Sequence, residues 1–227
     1  MDSPPQEREA PFDDPVQVVT RRGRRQLDTL RGRNPERLIF FSDAVFAIAL
    51  TLLVLDIRLP AVEGGEGLNQ ALAAVWPKFG AYLISFAVIS GAWLSHFRRF
   101  RVTIGYDPRL IQLNFLLLFL VGLMPFPTAV FAEHAPQAAA TLLYGGNLGL
   151  IFAVQTLCWW YSRRAGLLDP IVDDELYGRT FWPLFTIAAL FLGSLPFLLI
   201  NPMLTLAIWC IAGPVVTLGR FLPTRVR

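Results

Sequence analysis

The sequence predicts an all-α polytopic membrane protein, one unrepeated unit of six transmembrane helices. Three observations carry this. Hydrophobic residues fill 54% of the 227 positions and charged residues only 16%, whereas soluble domains carry about 25% charged residues. Six apolar runs, each close to the ~20 residues that a spanning helix needs, follow one another at short intervals. Of the 20 Lys and Arg residues, all but Arg58 and Lys78 fall on the side that six spans give to both termini. Basic loops stay cytoplasmic, so both termini are expected there.

Taken in order, residues 1–33 mix prolines and acids with the basic run Arg21-Arg22-Gly23-Arg24-Arg25. Such a stretch buries too little apolar surface to fold alone. It reads as a disordered cytoplasmic tail able to touch anionic headgroups. The six-helix transmembrane unit is expected over 34–222, and 223–227 as a short cytoplasmic C-terminus. Within it the apolar segments run over about 35–57, 74–96, 109–131, 137–161, 179–200 and 202–220. Asn201-Pro202 separates the last two, which predicts a tight helical hairpin with proline in a first turn. Pro125, Pro127, Pro183 and Pro196 are expected to kink or end helices. Glu63 and Glu66 sit among glycines in the first outer loop, and Asp173-Asp174-Glu175 reads as a solvated cytoplasmic loop.

Several function classes drop out. Residues 1–30 are polar and hold no short apolar stretch before a small-residue cleavage site, so the first span is expected to direct insertion itself. Cys158 and Cys210 both lie in apolar runs and read as packing residues, not as a disulfide framework or metal site. No nucleophile or metal cluster accompanies the histidines, so an enzyme is not expected, nor a cofactor, nor a nucleic-acid partner. His134, beside Glu133 on an outer loop, reads as solvated.

The chemistry concentrates in the first segment, E-R-L-I-F-F-S-D-A-V-F-A-I-A-L-T-L-L-V-L-D-I-R-L-P, over Glu36–Pro60. It is apolar enough to span, yet carries Arg37, Ser42, Asp43 and Thr51. An ionisable group inside a span is costly and marks a functional or buried-partner position. On a helical wheel Ile48, Leu52 and Leu55, spaced i, i+4, i+7, form one stripe; Thr51 lies at its edge, and Ala44 and Leu59 extend it. Asp43 lies about 140° from Ile48. Spacing alone would suit plain helix packing. Asp43 and Ser42 need donors from other helices, because hydrocarbon supplies none. Candidates are His96 and Trp93 near the end of the second segment and Asn114 in the third. Arg37, six residues from Asp43, is badly spaced for an intrahelical pair, which points to another helix or a neighbouring subunit.

The order Arg37-x-x-x-Phe41-Ser42-Asp43, followed by A-V-F-A-I-A-L-T-L-L-V-L-D-I, resembles the signature of the lysosomal potassium channel family (transmembrane protein 175) and its bacterial relatives. The signature covers about 20 residues; the six-span pattern extends the likeness over most of the chain. The resemblance implies a homotetramer in a bacterial cell membrane, with the first helix of each subunit lining a central pore. It implies a potassium-preferring cation channel without the T-V-G-Y-G carbonyl filter, a motif this sequence does not contain. Potassium would be the permeant ion and lipid the surrounding partner. By position, Ile48 would match the hydrophobic constriction, Thr51 the threonine layer tied to potassium preference, and Leu52 and Leu55 further apolar layers. Arg37, Phe41, Ser42 and Asp43 would anchor the pore helix to spans two and three. Asp56, Glu63 and Glu66 could concentrate cations at the outer mouth. A secondary transporter or proton-linked exchanger is the alternative, with Asp43 and His96 as a relay. Internal repeats and a broken first span, common in such transporters, are missing from the sequence.

Overall fold

A computed structural model describes residues 35–59 and 67–218, with side chains as far as Ala212. The basic tail over 1–33, the loop acids Glu63 and Glu66, and the stretch 223–227 lie outside the described residues. The elements in order are α1 (Glu36–Leu52) with a 3-10 turn (Leu53–Asp56), α2 (Gly67–Phe100), α3 (Pro108–Leu123), α4 (Pro125–His134), α5 (Ala138–Arg164), α6 (Asp174–Ser194) with a 3-10 turn (Leu195–Leu199), and α7 (Pro202–Leu218). Five helical stretches among the described residues are long and apolar enough to cross a membrane, α3 and α4 together forming one of them. α7 is a further, shorter apolar helix. The protein is therefore a multi-pass helical membrane protein.

Hydropathy located the apolar centres of these helices but not their ends. The second segment, expected at 74–96, continues from Gly67 to Phe100, carrying Pro77 inside it. Its extra turns interrupt leucine and alanine with Asn69 and Gln70 at one end and carry Arg98 and Arg99 at the other, and such mixed turns fall outside an apolar run. The acidic run is not a loop. Asp173 caps α6, its carboxylate accepting from Leu176 N at 2.7 Å, and Asp174 and Glu175 fill the first turn. Negative charge suits the positive end of the helix dipole. Asp174 pairs with Arg163, and Glu175 with Arg179 at 2.6 Å.

The third segment breaks where Pro125 stands. Pro125 has no N–H to donate, and Met124 N turns back to Val121 O at 3.1 Å. That leaves Leu120 O without its helical donor. Asn147 of α5 supplies one, Nδ2 to Leu120 O at 3.1 Å.

α5 is the centre of the molecule: 67% of its most apolar window is buried, more than in any other described span. It packs on α3, α4 and α6. Small residues let neighbours approach closely, as is usual where lipid supplies no hydrophobic drive. A Cβ on Gly149 would lie 2.6 Å from Leu192 of α6, and one on Gly145 would overlap the Trp209 indole of α7. α5 ends on Gly166, whose φ of 66° suits a residue without a Cβ. Leu167 N then bonds Ser162 O at 2.9 Å, the closure of a Schellman turn.

At that same end two loops pair. Ile104 N bonds Leu167 O and Asp169 N bonds Val102 O, both at 2.9 Å, and Tyr161 donates to Asp107. Asp107 also caps α3 by accepting from Leu110 N at 2.8 Å. Arg98, Arg99, Arg101, Arg109, Arg163, Arg164 and Arg179 thus gather at one end of the bundle. Lys78 and Glu133 meet at the other, 2.6 Å apart.

Candidate functional site

α1 has two unlike faces, and the sequence dictates both. Ser42, Phe46, Ala49 and Leu53, spaced i, i+4, i+7, i+11, are buried in the bundle. This face packs on α2 and α3. Roughly opposite, Ile48 is 58%, Leu52 40% and Leu55 63% exposed, with Ala44 and Thr51 exposed beside them. The stripe therefore contributes nothing to the core of one copy. Thr51 Oγ1 donates to Ile48 O at 2.8 Å, three residues back. Its only proton is thereby engaged, and its lone pairs stay free on the exposed side. Among the described residues the face from Ala44 to Leu55 carries no charged group. It can line a path for ions but cannot hold one tightly.

The polar residues of α1 turn the other way. Asp43 Oδ1 accepts from Trp93 Nε1 of α2 at 2.8 Å. Ser42 Oγ donates to Leu38 O at 2.8 Å and accepts from Asn114 Nδ2 of α3 at 2.9 Å. Because the Asn114 amide nitrogen donates there, its Oδ1 is the acceptor for His96 Nε2, 2.9 Å away. The network thereby assigns the histidine proton to Nε2. His96 Nδ1 has no hydrogen-bond partner among the described residues, and the imidazole ring contacts those of Phe46 and Phe100, with centroids at 5.6 and 4.4 Å. So His96 meets Asn114, not Asp43. A relay running directly from Asp43 to His96 does not fit, because the two belong to separate contacts on one helix. Phe41 packs edge-on against Phe115 of α3, centroids 5.7 Å apart. Arg37 is exposed in the first turn of α1, with no partner among the described residues. Asp56 is exposed at the far end.

Below this network is a clamp that sequence reading missed. Buried Arg99 of α2 donates Nε to Ser95 O at 3.0 Å, and its terminal nitrogens to Gln155 of α5, one to the backbone oxygen and one to Oε1. Gln155 Nε2 returns a bond to Ala92 O at 3.1 Å. Spans two and four are thus fastened by reciprocal bonds. Arg99 was hidden in the basic run Arg98-Arg99-Phe100-Arg101, which reads as a loop. Gln155, a lone amide in an apolar span, was the available signal, since such residues are buried against partners.

Residues 37–125, from the arginine of the signature to the break in the third span, match the family model described as endosomal/lysosomal potassium channel TMEM175. A potassium channel of Streptomyces collinus is 41% identical over 142 residues, covering 60% of this chain and 69% of the relative. A human endosomal/lysosomal proton channel TMEM175 is 29% identical over 151 residues, covering 60% of this chain but 30% of the human protein. Among solved structures, a lysosomal potassium-selective channel TMEM175 homolog from Chamaesiphon minutus superposes with a TM-score of 0.70 at 30% identity, over 82% of this chain and 97% of that one. With the signature, the helix order and these likenesses in agreement, the chain belongs to the TMEM175 family.

Proposed function

We propose that this protein is a potassium-preferring cation channel, conducting passively through a pore formed where the first helices of four copies meet. It works in a bacterial cell membrane with both termini in the cytoplasm. The observation that carries this is the division of α1: Ile48, Leu52 and Leu55 exposed on one face, Asp43 and Ser42 held by α2 and α3 on another. Four such faces around an axis make rings of apolar side chains. A ring of Ile48 closes the path by dewetting, because an apolar constriction cannot replace an ion's hydration shell. A small widening or twist of α1 rewets it. The Thr51 layer, three residues on, offers hydroxyl lone pairs to a partly dehydrated cation. Neutral oxygens without a rigid cage give a mild preference among monovalent cations. The role of Ser42, Asp43, Trp93, Asn114 and His96 is to hold α1 at the right rotation, and Phe41 against Phe115 completes the contact towards its cytoplasmic end, while Arg37, exposed on one copy, is left for a neighbouring copy.

The test is ion flux from purified protein in liposomes. Potassium should leave down its gradient with no coupling ion, and sodium more slowly. Absence of any such flux overturns the channel. Uphill movement driven by a proton gradient would favour the exchanger instead. Two features weigh against that mechanism: α1 is unbroken from Glu36 to Leu52, and His96 does not reach Asp43.

A further inference from the structure

Between α5 and α6, on the outer surface, runs an apolar groove of about 360 Å³. It is lined by Ala153, Ala188 and Ala189 and by the larger Trp160, Phe181 and Phe185. Thr156 also lines it, its hydroxyl donating to Phe152 O at 2.7 Å. From Ala153 to Arg164 along α5 is about 16 Å at 1.5 Å per residue, close to one leaflet of a ~30 Å hydrocarbon core. Arg164 stands one turn beyond Trp160, its guanidinium 5.5 Å from the indole ring. The neighbouring Arg163 and Arg179 are each paired with an acid. Arg164 has no acidic partner among the described residues. Trp160 and Trp182 are 44% and 62% exposed, on the halves of α5 and α6 nearer the arginine-rich end, and tryptophan is enriched at membrane interfaces. The groove belongs to helices other than α1, whose main contacts are with α2 and α3, so it faces away from the proposed pore.

We infer that this groove seats one acyl chain of an anionic phospholipid of the leaflet on the arginine-rich side, with its headgroup phosphate paired to Arg164. Length, apolar lining and a guanidinium at one end together fit that occupant. Zwitterionic lipid shares the chain but lacks the net charge.

The test uses full-length protein in vesicles whose phospholipid carries mid-chain bromine, either phosphatidylglycerol or phosphatidylcholine. Subtracting the Trp160→Phe variant isolates quenching at Trp160. One basic group near a surface confers roughly a fivefold preference for anionic lipid, which is the expected ratio of binding constants. Arg164→Lys should keep much of it, Arg164→Gln should remove it, and Ala189→Phe should weaken quenching by both lipids with Arg164 intact. Equal quenching by the two lipids in the unmodified protein overturns the inference. So does a preference that survives Arg164→Gln, or quenching indifferent to Ala189→Phe. A Trp160 dark to both lipids would mean that protein covers the groove, and overturns it too. No ion flux enters the readout, so its failure leaves the channel reading standing.

Discussion

At the scale of single residues, Ile48 and Asn114 do opposite jobs. Ile48 is 58% exposed and lies outside the buried core of one copy, so polar substitution there should leave folding intact. Ile48→Asn should raise potassium leak in liposomes severalfold by wetting the proposed constriction; unchanged leak would move the narrow point elsewhere. Thr51→Val keeps the shape but removes the free lone pairs, and should lower the potassium-to-sodium permeability ratio while assembly is unaffected. Asn114 serves two partners at once. Asn114→Leu strands Ser42 and His96, and a buried polar group left unpaired costs about 1–3 kcal/mol. The melting temperature in detergent should fall more than for Ser42→Ala, which strands only one amide. The sequence showed that Ser42 and Asp43 need partners and supplied a short set of candidates. It could not say which partner met which, because the pairing depends on the rotation of α2 about its axis. Trp93 and His96 are three residues apart and lie near one another on that helix, so only packing separates their roles.

Among elements, α5 sets the tolerances. Adding one methyl at Gly145 forces the Trp209 ring, itself held by a 2.8 Å bond from Nε1 to Ser194 Oγ, out of place. Overpacking of this kind costs about 1–3 kcal/mol. Gly145→Ala should therefore lower thermal stability, whereas Gly146→Ala, with open space at that position, should not; equal effects would mean that α7 does not dock there. The apolar runs made the existence and order of these helices legible. Their ends, where apolar and polar residues mix, and the contacts of Gly145 and Gly149 were not, since close approach is a property of two helices and each glycine alone reads only as a weak helix former. Pro125 did announce its break. Nothing in the local sequence announced that Asn147, 22 residues later, would repair it.

For the whole molecule, assembly is the decisive property. Asp43→Ala frees α1 from Trp93, so the resulting loss should fall on oligomer formation before selectivity. Native mass spectrometry should show four copies for the unmodified chain and a smaller species for the variant; intact tetramers with altered selectivity would place Asp43 in the ion path. The family likeness was legible from about 20 residues because that stretch states both faces of one helix at once. The exposed stripe has a further thermodynamic consequence. In water a bare ribbon of Ile and Leu would drive subunits together, but lipid tails are as oily as leucine, so that drive vanishes in a bilayer. The proposed four copies would gain nothing by withdrawing Ile48 from fat. Cohesion has to come from close van der Waals fit and interhelical hydrogen bonds, and the complex should loosen as the lipid-to-protein ratio rises.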